Sequence, residues 1–170
     1  MPPGNGWRAS TQPDRIFLRT DRHQDGQLVA TTAVLVLRTR PAEGKCGLSA
    51  EETAADYCRH EKFDLWLSGQ VTGLFGIEDV TRDKVVIDGK TLYAMRYHQA
   101  FAEQFGGART DNMMYMFFPD SFEADNYFYV FLQTEACMRD ACPDAGVDMD
   151  ETPVRFVIRS IVTHPAGASE

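Results

Sequence analysis

What this chain of 170 residues lacks narrows its class first. It contains no run of about 18 apolar residues, so no helix able to cross a bilayer is expected. Positive charge is scarce: 17 Lys and Arg stand against 25 Asp and Glu, for a net charge of −8. Nucleic acid and anionic membrane surfaces would repel such a chain at long range, and no basic patch offsets that repulsion. Neither is expected as a partner, and membrane contact is expected only through a lipid anchor outside this sequence. The first residues, Met1 to Gly6, carry neither a charged n-region nor an apolar h-region, so export would require a signal upstream of them. Internal repeats are missing, and so is any nucleophile at a recognised catalytic spacing.

Cysteines are few but suggestively placed, Cys46 near Cys58 and Cys137 near Cys142. An even number in an acidic chain reads as a disulfide framework, and the spacing favours local pairing among the three possible connectivities. A bridge from Cys46 to Cys58 would contribute about 3 kcal/mol by loop entropy. Disulfides imply a periplasmic or extracellular setting; free thiols in a cytoplasmic protein are the alternative. Zinc is a third reading, for which Cys137-x4-Cys142 has knuckle spacing and Cys46-x11-Cys58 does not.

The remaining 44% hydrophobic and 25% charged composition is that of one globular domain. We expect it over residues 13–164, between an extended or disordered segment 1–12 and a disordered tail 165–170. Arg15 to Thr20 and Gln27 to Leu37 read as strands around a turn-like Asp21 to Gly26. Ser49-Ala-Glu-Glu52 is a capping-box pattern, predicting a helix towards Leu67. Val85 to Ile87, Asp88-Gly89 and Lys90 to Tyr97 read as strand, type I′ turn and strand. Met113 to Phe118 and Tyr127 to Leu132 are two further strands. A closing helix is expected with Thr152 as N-cap, Pro153 in its first turn, and Val154, Val157, Ile158 and Ile161 at helical spacing.

Both alternations of the last three strands are apolar or aromatic, so their sheet must be covered on two sides. With one helix expected early and one late, the predicted fold class is α+β, an antiparallel sheet flanked by helices as an α/β/α sandwich. Apolar strand residues usually pack in a core. Five of the six tyrosines nonetheless take odd-numbered positions on these strands, and a tyrosine cluster suits the rim of a pocket, where ring and hydroxyl are both used. Tyr93, Tyr97, His98, Tyr115 and Tyr129 are therefore candidate ligand-binding residues. The segment Gln99 to Asp111, with Gly106-Gly107 within it, is expected to be a mobile loop beside them.

The run Asp88-Gly-Lys-Thr-Leu-Tyr-Ala-Met-Arg-Tyr97, the strand ending Phe117-Phe-Pro119, Tyr127-Phe-Tyr-Val-Phe-Leu132 and Phe156-Val-Ile-Arg-Ser-Ile161 together resemble the Mog1/PsbP-like families. The resemblance covers about the second half of the chain. It implies a central antiparallel sheet flanked by helices and a non-catalytic accessory, assembly or binding role, several such proteins being exported or lipid-anchored. It supplies no site residues, and the cysteine pairs and the stretch from Gly44 to Leu67 depart from it.

Chemistry has to be assembled from scattered residues. His98 follows Arg96 on a strand, and Glu103 and Asp111 are near enough in sequence to pair with it if the intervening loop folds over the strand end. Solvated loop residues are the plainer reading. His23 and His164 look like neither ligands nor bases. Asp140, Asp144, Asp148, Asp150 and Glu151 concentrate carboxylates, but without the spacing of a calcium loop. A solvated loop leading into a helix start, where acids are favoured, accounts for them better. The sequence thus favours an exported, disulfide-bearing binding or assembly domain that recognises a protein partner or a small apolar ligand, with no catalytic residues, metal or cofactor. The alternatives are a hydrolase using His98 with a nearby carboxylate and a cytosolic adaptor with free thiols.

Overall fold

The computed structural model describes residues 1–2, 6–39, 75–101, 107–119, 127–138 and 149–161. Most of these lie in one antiparallel sheet: β1 (Arg8–Gln12), β2 (Arg15–Gln24), β3 (Gln27–Thr39), β4 (Phe75–Ile87), β5 (Lys90–Phe101), β6 (Arg109–Phe117) and β7 (Phe128–Cys137). A helix, α1 (Thr152–Ser160), follows. The spatial order is β1-β2-β3-β7-β6-β5-β4. Two runs of neighbouring strands are thus joined where β3 pairs with β7.

Two-residue Asp-Gly turns close two of the hairpins. Asp88 (φ 52) and Gly89 (φ 74) join β4 to β5, and Asp25 (φ 51) and Gly26 (φ 80) join β2 to β3. Both central residues of a type I′ turn need positive φ, which glycine and aspartate adopt most readily. The first hairpin is longer than expected: Asp21 belongs to the β2 ladder opposite Thr31, with a bulge at Arg22/His23 absorbing the irregularity. Hydrogen bonds from Arg19 Nε (2.7 Å) and Thr31 Oγ1 (2.8 Å) to Asp21 Oδ1 keep that acid in a strand. The outer strand β4 is also longer than expected, and its Glu78, Asp79, Arg82, Asp83 and Lys84 suit an edge, where charge discourages pairing with another chain.

The two sides of the sheet have separate cores. Leu18, Val34, Val36, Leu92, Ala94, Tyr115, Phe117 and Phe131 form one, together with Val154 and Ile158 of α1. Tyr93, Met95, Tyr97, Met114, Met116 and Phe128 form the other. The sequence expectation of a sheet buried on both sides therefore holds for the central strands. The α/β/α sandwich does not: among the described residues a single nine-residue helix packs on one face. The sandwich implied by the Mog1/PsbP-like resemblance is corrected with it. Strands apolar on both alternations report that they are covered, not that helices do the covering. The helix predicted from Ser49 towards Leu67 lies outside the described residues.

The register also divides the tyrosines. Tyr93 lies opposite Met116 and Ala94 opposite Tyr115, so an odd position on β5 faces the same way as an even one on β6. Tyr115 and Tyr129 consequently share the helix face, while Tyr93 and Tyr97 belong to the opposite core.

Candidate active site

At one end of the helix face the apolar rows of three strands turn polar together. On β5, Ala94 is followed at period two by Arg96 and His98; on β6, Met113 gives way to Asp111; on β7, Phe131 gives way to Gln133 and Glu135. Register lines these up, with His98 opposite Asp111 and Asp111 opposite Glu135. Directly opposed residues in an antiparallel pair have Cβ atoms about 5 Å apart, close enough for their side chains to act on one another.

Asp111 is the centre of the group. Its side chain is 1% exposed, and the Arg96 guanidinium closes on it as a fork, Nη2 to Oδ2 at 2.5 Å and Nε to Oδ1 at 3.2 Å. A buried carboxylate is tolerated only when paired and hydrogen-bonded, which this fork accomplishes. His98 Nδ1 stands 3.5 Å from Asp111 Oδ1, and its ring is 37% exposed. The carboxylate is thus fixed from one side by Arg96 and faces an imidazole that solvent can reach on the other.

Gln133, wholly buried, ties this group to the helix. Its Oε1 accepts the Val154 N–H (3.0 Å), and its Nε2 donates to the Asp150 carbonyl (2.6 Å) and to Glu135 Oε1 (3.2 Å). An N–H in the first helical turn has no partner within the helix, so a side chain from the sheet supplies one. Asp150 Oδ1 accepts the Thr152 N–H (2.9 Å), and Glu151, not Thr152, is the N-cap residue. The Tyr115 hydroxyl donates to Glu151 Oε2 (2.8 Å), which also receives Arg155 Nε (2.8 Å).

These surroundings shift three acids in different directions. Burial, above all, raises the Glu135 carboxyl above the usual glutamate range; hydrogen bonds from Gln133 and the Asp150 backbone oppose the shift, while the charges of Asp150 and Asp111 add to it. Burial, then the hydrogen bond to Glu151, pushes the Tyr115 hydroxyl upward. Hydrogen bonds from the Thr152 side chain and backbone hold Asp150 below its usual range.

Of the residues expected to bind a ligand, the structure brings His98 and Tyr115 to the same face, with Tyr129 farther along it among the aromatic rings stacked on Phe117 and Phe131. Tyr93 and Tyr97 lie on the other side of the sheet and are buried. Asp111 reaches His98 as a ladder partner, not through a folded-over loop: β5 continues to Phe101 and β6 begins at Arg109, so much of the expected loop is strand. Glu103 lies outside the described residues, as do Asp140, Asp144, Asp148 and His164, while His23 sits in β2. Gln133 and Glu135 were not anticipated, though the shared switch from aromatic to polar at one end of three neighbouring strands was visible as a pattern.

No disulfide joins two described residues, because Cys137 is the one cysteine among them. The Cys137 sulfur is disulfide-bonded. Of the expected pairings, Cys46–Cys58 lies wholly and Cys137–Cys142 partly outside the described residues. Among the described residues no three His, Cys, Asp or Glu side chains gather to hold a metal ion, and no helix is long and apolar enough to cross a membrane.

Neither a family model nor a curated protein matches the chain. A solved structure, that of PA94, a protein of unknown function from Pseudomonas aeruginosa, aligns with 95% of this chain and 100% of its own at 10% identity and a TM-score of 0.41. Similarity at that level carries neither fold nor function across. The site has to be read from its own geometry, and that geometry corrects the purely non-catalytic reading: a His–carboxylate pair with an arginine clamp is an acid-base arrangement.

Proposed function

We propose that the chain is a hydrolase in which His98, oriented by Asp111, is the general base. The observation that carries this reading is the pairing of a partly exposed imidazole with a buried carboxylate that a second residue already holds in place. A carboxylate facing Nδ1 favours the proton on that nitrogen and leaves Nε2 with the lone pair. Nε2 is then the atom that takes a proton from an attacking water, and Asp111 stabilises the imidazolium that results. At 3.5 Å the Nδ1 contact is longer than a hydrogen bond, as catalytic contacts often are before substrate tightens them. Arg96 acts through Asp111 as a positioning residue.

The test is a panel of soluble esters and amides offered to the wild-type chain and to Asp111→Asn. The substitution keeps the shape of the side chain while removing its charge. It is expected to lower kcat by about 100-fold or more, in line with the contribution of positioned acid-base groups. Hydrolysis unchanged in a folded Asp111→Asn protein, or no hydrolysis by the wild type across the panel, would defeat the reading.

A further inference from the structure

We propose that Glu135 is the proton donor of the same site, handing its proton to the leaving atom of an ester or amide substrate. The inference rests on His98 being the base, and it assigns the second half of the chemistry. Glu135 stands opposite Asp111 on β7, as His98 stands opposite it on β5, so the buried carboxylate separates two groups that face the same space above the sheet. Adjacent strands lie about 4.8 Å apart, which puts roughly 10 Å between the His98 and Glu135 backbones.

The two carboxyl groups of this row are treated differently by their neighbours. Asp111 has the Arg96 fork as counter-charge. Glu135 has the neutral Gln133 amide and the Asp150 N–H as partners, with Asp111 and Asp150 as negative neighbours. Across the β3 ladder it meets the uncharged Thr32. Where two acids in one site are pushed apart in this way, the anionic one orients and the protonated one donates. The raised proton affinity of Glu135 agrees with that division.

The step balances. His98 takes one proton from water as the water oxygen bonds to the carbonyl carbon. The bond to the leaving oxygen or nitrogen breaks with its electron pair on that atom, which receives the Glu135 proton. His98 then loses its proton to solvent, and Glu135 regains one from solvent.

Glu135→Gln separates a donor from a structural residue when two leaving groups on one acyl group are compared. A p-nitrophenolate leaves without a proton; an alkoxide does not. The variant is expected to keep p-nitrophenyl ester hydrolysis within about threefold while alkyl ester hydrolysis falls by about 100-fold. Equal losses on both esters, or none on either, would overturn the donor role and leave the His98 base standing. If the wild type hydrolyses neither ester, the base reading fails and the donor role, which rests on it, fails with it; in an active wild type a carbon-13 NMR titration of the Glu135 carboxyl is a second check. A midpoint above the usual glutamate range supports a retained proton; one within that range overturns it.

Discussion

Arg96 and Asp111 make the strongest single-residue demand on the fold. A carboxylate 1% exposed, stripped of its guanidinium, would be left as an uncompensated buried charge. Such a loss costs about 3–5 kcal/mol in general, and the 34% exposure of the Arg96 side chain puts Arg96→Met at the lower end. Urea unfolding of that variant should show the destabilisation as an earlier midpoint, and Arg96→Lys, which cannot form the fork, should recover only part of it. Glu135 makes the opposite demand. Because its folded-state proton affinity is raised, its contribution is fully present below the usual glutamate range and is lost as pH rises through the shifted value. Glu135→Gln should therefore be more stable than wild type at neutral pH and lose that advantage in acid; a variant less stable at neutral pH would reverse the sign. His98 and Asp111 were legible as a possible pair only through their nearness in sequence, since the contact expected from a folded-over loop is made by the β5–β6 ladder instead. The Arg96 fork was not, since the sequence does not state the register that places Arg96 diagonally across from Asp111.

At the scale of elements, local chemistry was the readable part. Asp88-Gly89 announced its turn, and the structure repeats the device at Asp25-Gly26, which a polar stretch from Asp21 onward had concealed. A Cβ at Gly89 would meet nothing within 4 Å, so its φ of +74 is the whole constraint. Gly89→Ala should cost about 1–2 kcal/mol through backbone strain alone, measurable by thermal unfolding. The closing helix was equally legible from Pro153 in its first turn and from Val154, Val157, Ile158 and Ile161 at helical spacing, of which Val154 and Ile158 are buried and Val157 and Ile161 half-buried. Its attachment was not legible, because Gln133 comes from a strand, and no helical pattern points to a partner 21 residues away. Gln133→Leu leaves the Val154 N–H and the Asp150 carbonyl without this partner, and about 1–3 kcal/mol for each orphaned group is the expected loss. Faster amide exchange at Val154 than elsewhere in α1 should accompany it.

The whole molecule was the least legible scale. Apolar or aromatic residues on both alternations of β5, β6 and β7 correctly required a sheet buried on two sides, yet the choice of helices as the cover went beyond what a strand pattern contains. Likewise, one numbering parity seemed to gather the tyrosines, whereas the odd-to-even register between β5 and β6 sends Tyr93 and Tyr97 away from Tyr115 and Tyr129. Stability against pH should reflect the molecule as a sum. Asp21, held down chiefly by its hydrogen bonds with Arg19 and Thr31, and Asp150, held down by Thr152, contribute stability above the ordinary carboxylate range that disappears as pH falls through their lowered values. Asp150 is exposed, so its share is small, whereas the Asp21 side chain is 11% exposed and carries more of the effect; in Glu135→Gln only this acid-side loss should remain from the three groups.

Hydrolysis by this sheet depends on His98. Steady-state hydrolysis of the best ester or amide in the panel, measured for wild type and for His98→Ala with circular dichroism confirming an intact sheet, is the most direct measurement. A fall in kcat of about 100-fold or more is expected if His98 is the general base. A folded His98→Ala protein turning over substrate at the wild-type rate would contradict it.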